Sequence, residues 1–208
     1  KNAPAILSHF PVSDATGQSI GIEVLNGQIK VSYNNNYGVL TNDPCFEWQT
    51  TNMSNYLCLT PDNAPSQDGN YFSGQSPSQG TGLVAIPGSF TPRDRFVRVA
   101  TMKNWAKPVA TAEEVTNLAF HILNTVDIPL GVINAGGTDQ DYTQWTIVAD
   151  MTNLIFYVRM YDSPQVHSID LNSLDFDNLD GKLYTVPTSS IATMISVDKI
   201  ALGKIEVS

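Results

Sequence analysis

The sequence predicts an α+β fold in which helices are layered on antiparallel sheets. Three observations indicate this class. Short alternating apolar runs separated by turn residues fill the first forty residues, and similar runs return after residue 143. Two helical patterns lie between these groups rather than between individual strands. Since strands and helices do not alternate one by one, a parallel doubly wound sheet is disfavoured.

The first sheet is expected to be an antiparallel meander. Its alternating runs are residues 6–10, 19–24 and 28–33. Asn26 and Gly27 separate the last two runs and favour the positive φ of a two-residue hairpin turn. Val39-Leu40 is predicted as a further short strand that ends at Thr41-Asn42-Asp43-Pro44, because proline breaks a strand.

The middle of the chain predicts a long polar loop followed by two helices. Residues 62–82 are almost all Ser, Gln, Gly, Asn, Asp and Pro, which is typical of a surface loop such as a lid or a subunit contact. Arg93–Trp105 has the apolar spacing of a buried helix. Thr111 is a suitable N-cap, with two glutamates in the first turn, for a second helix that extends to Val126.

A second meander follows the helices. Its predicted strands are Thr143–Asp150, Leu154–Met160 and Val166–Leu171, with a tight turn at 150–153 between the first two. The last thirty residues have weak apolar periodicity, and we expect them to form a short tail packed on the body.

Charge and composition exclude several function classes. The net charge is −9, and the basic residues are dispersed except for Arg93, Arg95 and Arg98, so nucleic acid and anionic membranes are poor partners. The most apolar segment, residues 118–133, is interrupted by polar residues and a proline, so no membrane span is predicted. Two cysteines cannot form a zinc-binding quartet, and we expect no metal and no cofactor.

Familiar catalytic motifs are absent from the sequence. The histidines His9, His121 and His167 lie far apart and are interpreted as core or interface residues. Cys45 and Cys58 have no base nearby in sequence, and Cys58, between two leucines, is interpreted as a small buried hydrophobe. Whether the two cysteines form a disulfide stays open.

Two segments contain candidate catalytic residues. Asn42 follows the predicted strand end, and an amide donor aimed into a cleft is what an oxyanion hole requires, although a simple turn explains it equally well. Arg95 and Arg98 lie three residues apart on one face of the helix that starts near Pro92. A surface charge cluster is the favoured explanation for these arginines when they are considered alone.

The residues around these segments resemble a known family. The first block is Val39-Leu-Thr-Asn-Asp-Pro-Cys-Phe-Glu-Trp-Gln-Thr-Thr-Asn-Met-Ser-Asn-Tyr56, and the second is Gly82-Leu-Val-Ala-Ile-Pro-Gly-Ser-Phe-Thr-Pro-Arg-Asp-Arg-Phe-Val-Arg98. Both are similar to signatures of the choloylglycine hydrolase and penicillin V acylase family. Thr143–Asp150, Tyr157–Tyr161 and Ile169–Leu171 resemble its C-terminal strands. The order of the blocks agrees, as do the 53 residues that separate Asn42 from Arg95.

The resemblance implies an Ntn-hydrolase, an αββα sandwich of antiparallel sheets that cleaves linear amide C–N bonds. In that family the nucleophile is an N-terminal cysteine whose own α-amino group is the general base. The catalytic residues carried over are Asn42, which would hold the oxyanion, and Arg95, which would favour the thiolate.

The sequence departs from the family pattern at several positions, and these departures change what activity is expected of residues 1–208. Residue 1 is Lys, and the family's N-terminal half with its nucleophilic cysteine is absent, so residues 1–208 are expected to be the C-terminal portion of a single Ntn-hydrolase domain and inactive alone. The expected partner is the N-terminal portion of the same precursor. Asp94 stands at the family's usual Ser and Ser89 at its usual Asp, and Asp94 is expected to divert part of the field of Arg95.

The leading functional hypothesis is an amidohydrolase acting on a small-molecule amide: a conjugated bile salt, penicillin V or an acyl-homoserine lactone-like compound. A non-catalytic ligand-binding homologue of the same fold is the alternative, and a structural adhesion domain is weaker still. Few lysines and many uncharged polar residues suggest a periplasmic or secreted bacterial protein, with the cytoplasm as the alternative. A homo-oligomer, expected to be a tetramer, is implied by the resemblance.

Overall fold

The computed structural model describes residues 9–33, 36–63, 79–178 and 185–187. The chain divides into two compact units, one made of residues 1–143 and 150–153 and the other of residues 144–149 and 154–208. The start of the first predicted run, most of the predicted loop 62–82 and almost all of the predicted C-terminal tail lie outside the described residues.

The first unit begins with the predicted antiparallel meander. Its strands are β1 (His9–Ser13), β2 (Ser19–Leu25) and β3 (Gln28–Ser32), hydrogen-bonded in the order β1-β2-β3. Asn26 and Gly27 have φ angles of 51° and 75°, which confirms the hairpin turn, since both central residues of such a turn need positive φ.

The two faces of this sheet differ in chemistry. The register pairs Phe10 with Ile22 and Ile22 with Val31, so apolar side chains from all three strands share one side. We call this side the apolar face; it consists of Phe10, Val12, Ile20, Ile22, Val24, Ile29 and Val31. Gly21 and Glu23 lie on the opposite side and are buried.

The segment after this sheet departs from the sequence-based prediction. Val39-Leu40 does not form a strand; Val39 instead packs in the core against Phe96 and Ala100. A helix that the sequence did not predict, α1 (Phe46–Asn52), follows and continues into a 3-10 turn over 53–56. Two threonines and an asparagine in seven residues give α1 a weak intrinsic preference, so its packing rather than its propensity maintains it.

Both predicted helices are confirmed. Helix α2 (Pro92–Trp105) starts with proline at its first position, where the missing N–H costs nothing. Phe96, which is fully buried on α2, forms the centre of the core and meets the rings of Tyr37 and Phe46 edge-on at 5.7 and 6.1 Å. The core therefore fixes α2 against the segment that leads into α1.

Helix α3 (Ala112–Asn124) begins with the predicted N-cap. The Glu114 amide donates to the Thr111 hydroxyl at 3.2 Å, and the Thr111 amide donates to the Glu114 carboxylate at 2.9 Å. These hydrogen bonds lower the pKa of Glu114 below its ordinary value, with the backbone amide of Thr111 as the largest cause. His121 on this helix is exposed, so it is not a core residue of this chain, and its interpretation as an interface histidine stays a prediction.

The remaining strands form two small sheets. A hairpin that the sequence did not predict, β4 (Ile133–Gly136) and β5 (Asp139–Asp141), belongs to the first unit. The predicted second meander is confirmed as β6 (Trp145–Asp150), β7 (Ile155–Met160) and β8 (Val166–Asp170), in the order β6-β7-β8, and all of it except Asp150 belongs to the second unit. Within the described ranges, each helix is too short or too polar to traverse a bilayer.

Candidate active site

The structure brings Asn42 and Arg95 into direct contact. Nη2 of Arg95 donates a hydrogen bond to Oδ1 of Asn42 at 2.7 Å. Asn42 lies on the connection between the β1–β3 sheet and α1, whereas Arg95 lies on the first turn of α2. Two residues 53 positions apart therefore meet at one place on the surface of the first unit.

This contact determines which way the Asn42 amide points. A guanidinium group has donors only, so the atom that faces it must be the carbonyl oxygen of the amide. The Nδ2 donor of Asn42 is consequently turned away from Arg95, and it has no hydrogen-bond partner among the residues that the structure describes. Positive charge on the oxygen side also polarises the amide and strengthens its remaining N–H donors.

The Arg95 side chain is held at a second point. Its Nε donates to the carbonyl oxygen of Phe90 at 3.0 Å, so the guanidinium plane is fixed by two bonds in different directions. Burial lowers the pKa of Arg95 below its usual range, while the carboxylate of Asp141 on β5 opposes this shift and Arg98 adds to it. Arginine nevertheless stays charged near neutral pH.

One expectation about neighbouring charges is wrong, and the expected effect of Asp94 on Arg95 stays a prediction. Asp94 accepts a hydrogen bond from the Ser89 amide at 3.2 Å, and its charge raises the pKa of Arg98, whereas the charge of Asp141 raises that of Arg95. Arg98 is buried instead of forming a surface cluster, and its Nη1 donates to the carbonyls of Pro87 and Ser89 at 2.6 and 3.1 Å. Arg98 therefore has a structural part in holding the segment before α2.

The turn that carries Asn42 rests on buried polar side chains. Gln49 on α1, which is 1% exposed, directs its Nε2 toward Thr41 Oγ1 at 3.3 Å and the Pro44 carbonyl at 3.2 Å. His9 on β1 approaches the Thr41 carbonyl with Nδ1 at 2.6 Å, and only a protonated nitrogen can bond there. Sequence reasoning missed the contribution of Gln49 and Thr41, because no local pattern marks contacts between separate elements.

Glu23 is the most deeply buried acid in this region. One carboxylate oxygen accepts from the Phe46 amide at 2.8 Å, at the first position of α1, and lies 3.5 Å from Nδ1 of His9. The other oxygen has no partner among the described residues. A carboxylate at this end of α1 satisfies a helix amide that has no intrahelical acceptor. Glu23 thereby ties β2 to α1 beside the Asn42 turn.

The remaining sequence candidates lie outside this arrangement. Cys45 and Cys58 are free thiols; Cys45 is half-buried and Cys58 is exposed, so the interpretation of Cys58 as a buried hydrophobe is wrong. His167 is half-buried on β8, and its Nε2 lacks a hydrogen-bond partner among the described residues; its interpretation as a core or interface residue stays a prediction. In the part of the chain that the structure describes, no three His, Cys, Asp or Glu side chains gather as metal ligands.

Comparison with known proteins identifies the family of the chain. Residues 2–184 match the family model of linear amide C–N hydrolases, choloylglycine hydrolase family. The chain belongs to the choloylglycine hydrolase family. Bile salt hydrolase/transferase of Clostridium perfringens is 36% identical over 87% of this chain and 54% of its own length. The corresponding protein of Lactiplantibacillus plantarum is 33% identical over 91% of this chain and 57% of its own length.

Solved structures of similar proteins agree with this assignment. A mutant of conjugated bile acid hydrolase from Clostridium perfringens superposes with a TM-score of 0.77 at 34% identity, covering 94% of this chain and 59% of that chain. Penicillin V acylase from Agrobacterium tumefaciens superposes with a TM-score of 0.62 at 25% identity, over 80% of this chain and 46% of that one. The α+β Ntn-hydrolase fold is thus confirmed, and the chain spans about half the length of the curated relatives it matches.

Proposed function

We propose that the complete protein hydrolyses the amide bond of conjugated bile salts. Membership of the linear amide C–N hydrolase family supports the reaction class. The substrate class is supported by two relatives named bile salt hydrolase/transferase, at 36% and 33% identity, whereas a relative named penicillin V acylase is 26% identical. A penicillin V-like N-acyl compound is the second candidate substrate.

The observation that carries this proposal is the hydrogen bond from Arg95 to Asn42, which turns the Nδ2 donor of Asn42 away from Arg95. In the proposed reaction a thiolate attacks the amide carbonyl carbon, and the π-electron pair moves onto the carbonyl oxygen. Asn42 donates a hydrogen bond to that oxyanion, which a fixed donor stabilises more in the transition state than in the ground state. The positive charge of Arg95 lies behind the amide and favours the same negative charge.

The nucleophile in this proposal is an N-terminal cysteine outside residues 1–208. Its α-amino group takes the thiol proton and returns it to the nitrogen of the leaving amine as the C–N bond breaks. Water then cleaves the resulting thioester, which releases the carboxylic acid and regenerates the thiol. Cys45 and Cys58 are not suitable, because the α-amino nitrogen of each is part of a peptide bond.

The partner in this proposal is the N-terminal portion of the same precursor. The apolar face of the β1–β3 sheet supports it, because Ile29 is 74% exposed and Phe10 and Val12 are about half exposed. An apolar sheet face of this kind is expected to be covered by another layer. The periplasmic or secreted location and the tetrameric state stay predictions.

The test is to purify the complete protein and the 208-residue chain alone and to compare them. Intact mass and N-terminal sequencing of the complete protein should show a chain that begins with Cys. Release of glycine or taurine from conjugated bile salts, and of phenoxyacetate from penicillin V, measures the activity. We expect turnover from the complete protein only.

The same experiment distinguishes the alternative function. A complete protein that begins with Cys but hydrolyses neither substrate, while binding a bile salt in calorimetry, would be a non-catalytic ligand-binding homologue. Hydrolysis by the 208-residue chain alone would overturn the assignment of the nucleophile.

A further inference from the structure

Thr41 connects three elements beside the candidate site. Its hydroxyl donates to the Pro92 carbonyl at 3.1 Å and lies 3.3 Å from Nε2 of Gln49, which donates to it. Its own carbonyl oxygen accepts from Nδ1 of His9 at 2.6 Å. The side chain and backbone of Thr41 thus contact α2, α1 and β1 at once.

The bond to Pro92 matters because of where Pro92 lies. Pro92 is the first residue of α2, and Arg95 follows three residues later on the same first turn. A helix turn is rigid, so a bond that fixes Thr41 against Pro92 also fixes the backbone of Asn42, the next residue, against Arg95. The Asn42–Arg95 bond of 2.7 Å spans the same two segments.

Gln49 supports this connection from the other side. Besides Thr41 Oγ1, its Nε2 lies 3.2 Å from the Pro44 carbonyl and 3.5 Å from the Asn42 carbonyl. Gln49 is almost fully buried, and its Oε1 has no hydrogen-bond partner among the described residues. Because burying an unpaired amide oxygen is unfavourable, the Gln49 carboxamide is retained at a cost in stability.

We propose that Thr41 is a positioning residue, whose hydroxyl sets the placement of the Asn42 donor relative to Arg95. This inference rests on the proposed amide hydrolysis, because the position of the Asn42 donor affects the rate only if Asn42 stabilises the oxyanion of that reaction. A donor to a developing oxyanion acts only when it lies within hydrogen-bond distance of the oxygen, and a displacement of about 1 Å can cost about a hundredfold in rate. Thr41 itself touches no reacting atom.

Two substitutions separate the hydroxyl from the rest of the side chain. Thr41→Val keeps the shape and removes the bonds to Pro92 and Gln49, whereas Thr41→Ser keeps the hydroxyl and removes the methyl group. In the complete protein, we expect Thr41→Val to lower kcat about ten- to a hundredfold. We expect KM to stay within about twofold and Thr41→Ser to keep most of the wild-type kcat.

A second readout does not require activity. The side-chain amide resonances of Asn42, assigned by their loss in Asn42→Ala, should shift in Thr41→Val and stay close to wild type in Thr41→Ser. Gln49→Leu is a second variant that loosens the same turn, and it should also shift these resonances, which gives a readout if Thr41→Val fails to fold.

Distinct outcomes overturn the two proposals. If wild type hydrolyses no amide but the Asn42 resonances respond as described, the proposed function fails and the positioning by Thr41 stands. If Thr41→Val keeps wild-type kcat and unshifted resonances, or if Thr41→Ser loses as much kcat as Thr41→Val, the hydroxyl does not position Asn42.

Discussion

At the scale of single residues, the candidate site depends on one hydrogen bond with an unambiguous direction. Arg95 donates to Asn42, and this bond decides that the amide oxygen faces Arg95 and the amide nitrogen is turned away from it. The second anchor of Arg95, on the Phe90 carbonyl, keeps the guanidinium from following Asn42 if the turn moves. Lysine in place of Arg95 could not make both bonds with one fixed geometry.

The direct prediction at this scale concerns Asn42. In the complete protein, Asn42→Ala should lower kcat for amide hydrolysis about a hundredfold or more, because the oxyanion loses a fixed donor. Steady-state kinetics on a conjugated bile salt measures it. Asn178→Ala is the matched control, since Asn178 is an exposed asparagine whose side chain donates to Asp175 in a local turn. Unchanged turnover in Asn42→Ala would remove Asn42 from the mechanism.

At the scale of elements, the helices differ in what maintains them. Helix α3 starts at a capping box that is visible in the sequence, because Thr111 and Glu114 have the required spacing and residue types. Helix α1 has no side-chain cap, and its first amide is satisfied by Glu23 from β2, 23 residues earlier. A local pattern therefore predicted α3, while α1 depends on a contact that sequence reasoning does not reveal.

The capping box of α3 predicts a pH-dependent contribution to stability. The pKa of Glu114 is lowered in the folded state by its bonds to Thr111 and Ala110, so its carboxylate stabilises the fold above the unfolded pKa. This contribution is lost as the pH falls through the lowered folded value. Glu114→Gln should therefore be less stable than wild type at about pH 7, and the difference should shrink toward about pH 3.

Urea unfolding followed by far-ultraviolet circular dichroism at the two pH values measures this difference. Glu113→Gln is the control, because Glu113 lies beside Glu114 in the same first turn but does not form the capping box. A difference between Glu114→Gln and wild type that is equal at both pH values would show that the charge of Glu114 contributes nothing.

At the scale of the whole molecule, the β1–β3 sheet presents an unusually apolar surface. Its register aligns apolar residues from three strands on one side, while Glu23 and Gly21 pack on the other. Alternation along each strand was readable in the sequence. The sequence did not reveal which side of the sheet is covered, because that depends on how α1 and the segment at Leu40 pack.

The apolar face predicts where the N-terminal portion packs. Ile29→Lys should weaken association of residues 1–208 with that portion by about tenfold or more, since a charge replaces an apolar side chain at the contact. Co-purification of the two portions, followed by size-exclusion chromatography, measures it. Val84→Lys is the matched control, because Val84 is even more exposed than Ile29 but lies off the sheet. Normal association of Ile29→Lys would place the contact elsewhere.

The sequence by itself determined the class of fold, the two meanders, both long helices, the family and the pair Asn42 and Arg95. These features are encoded in local periodicity, caps and motifs. Only the tertiary structure decided that Arg95 orients the Asn42 amide, that the charge of Asp141 acts on Arg95, and that Thr41 joins three elements. The physical reason is that these are contacts between residues far apart in the chain, which exist only after the elements have packed.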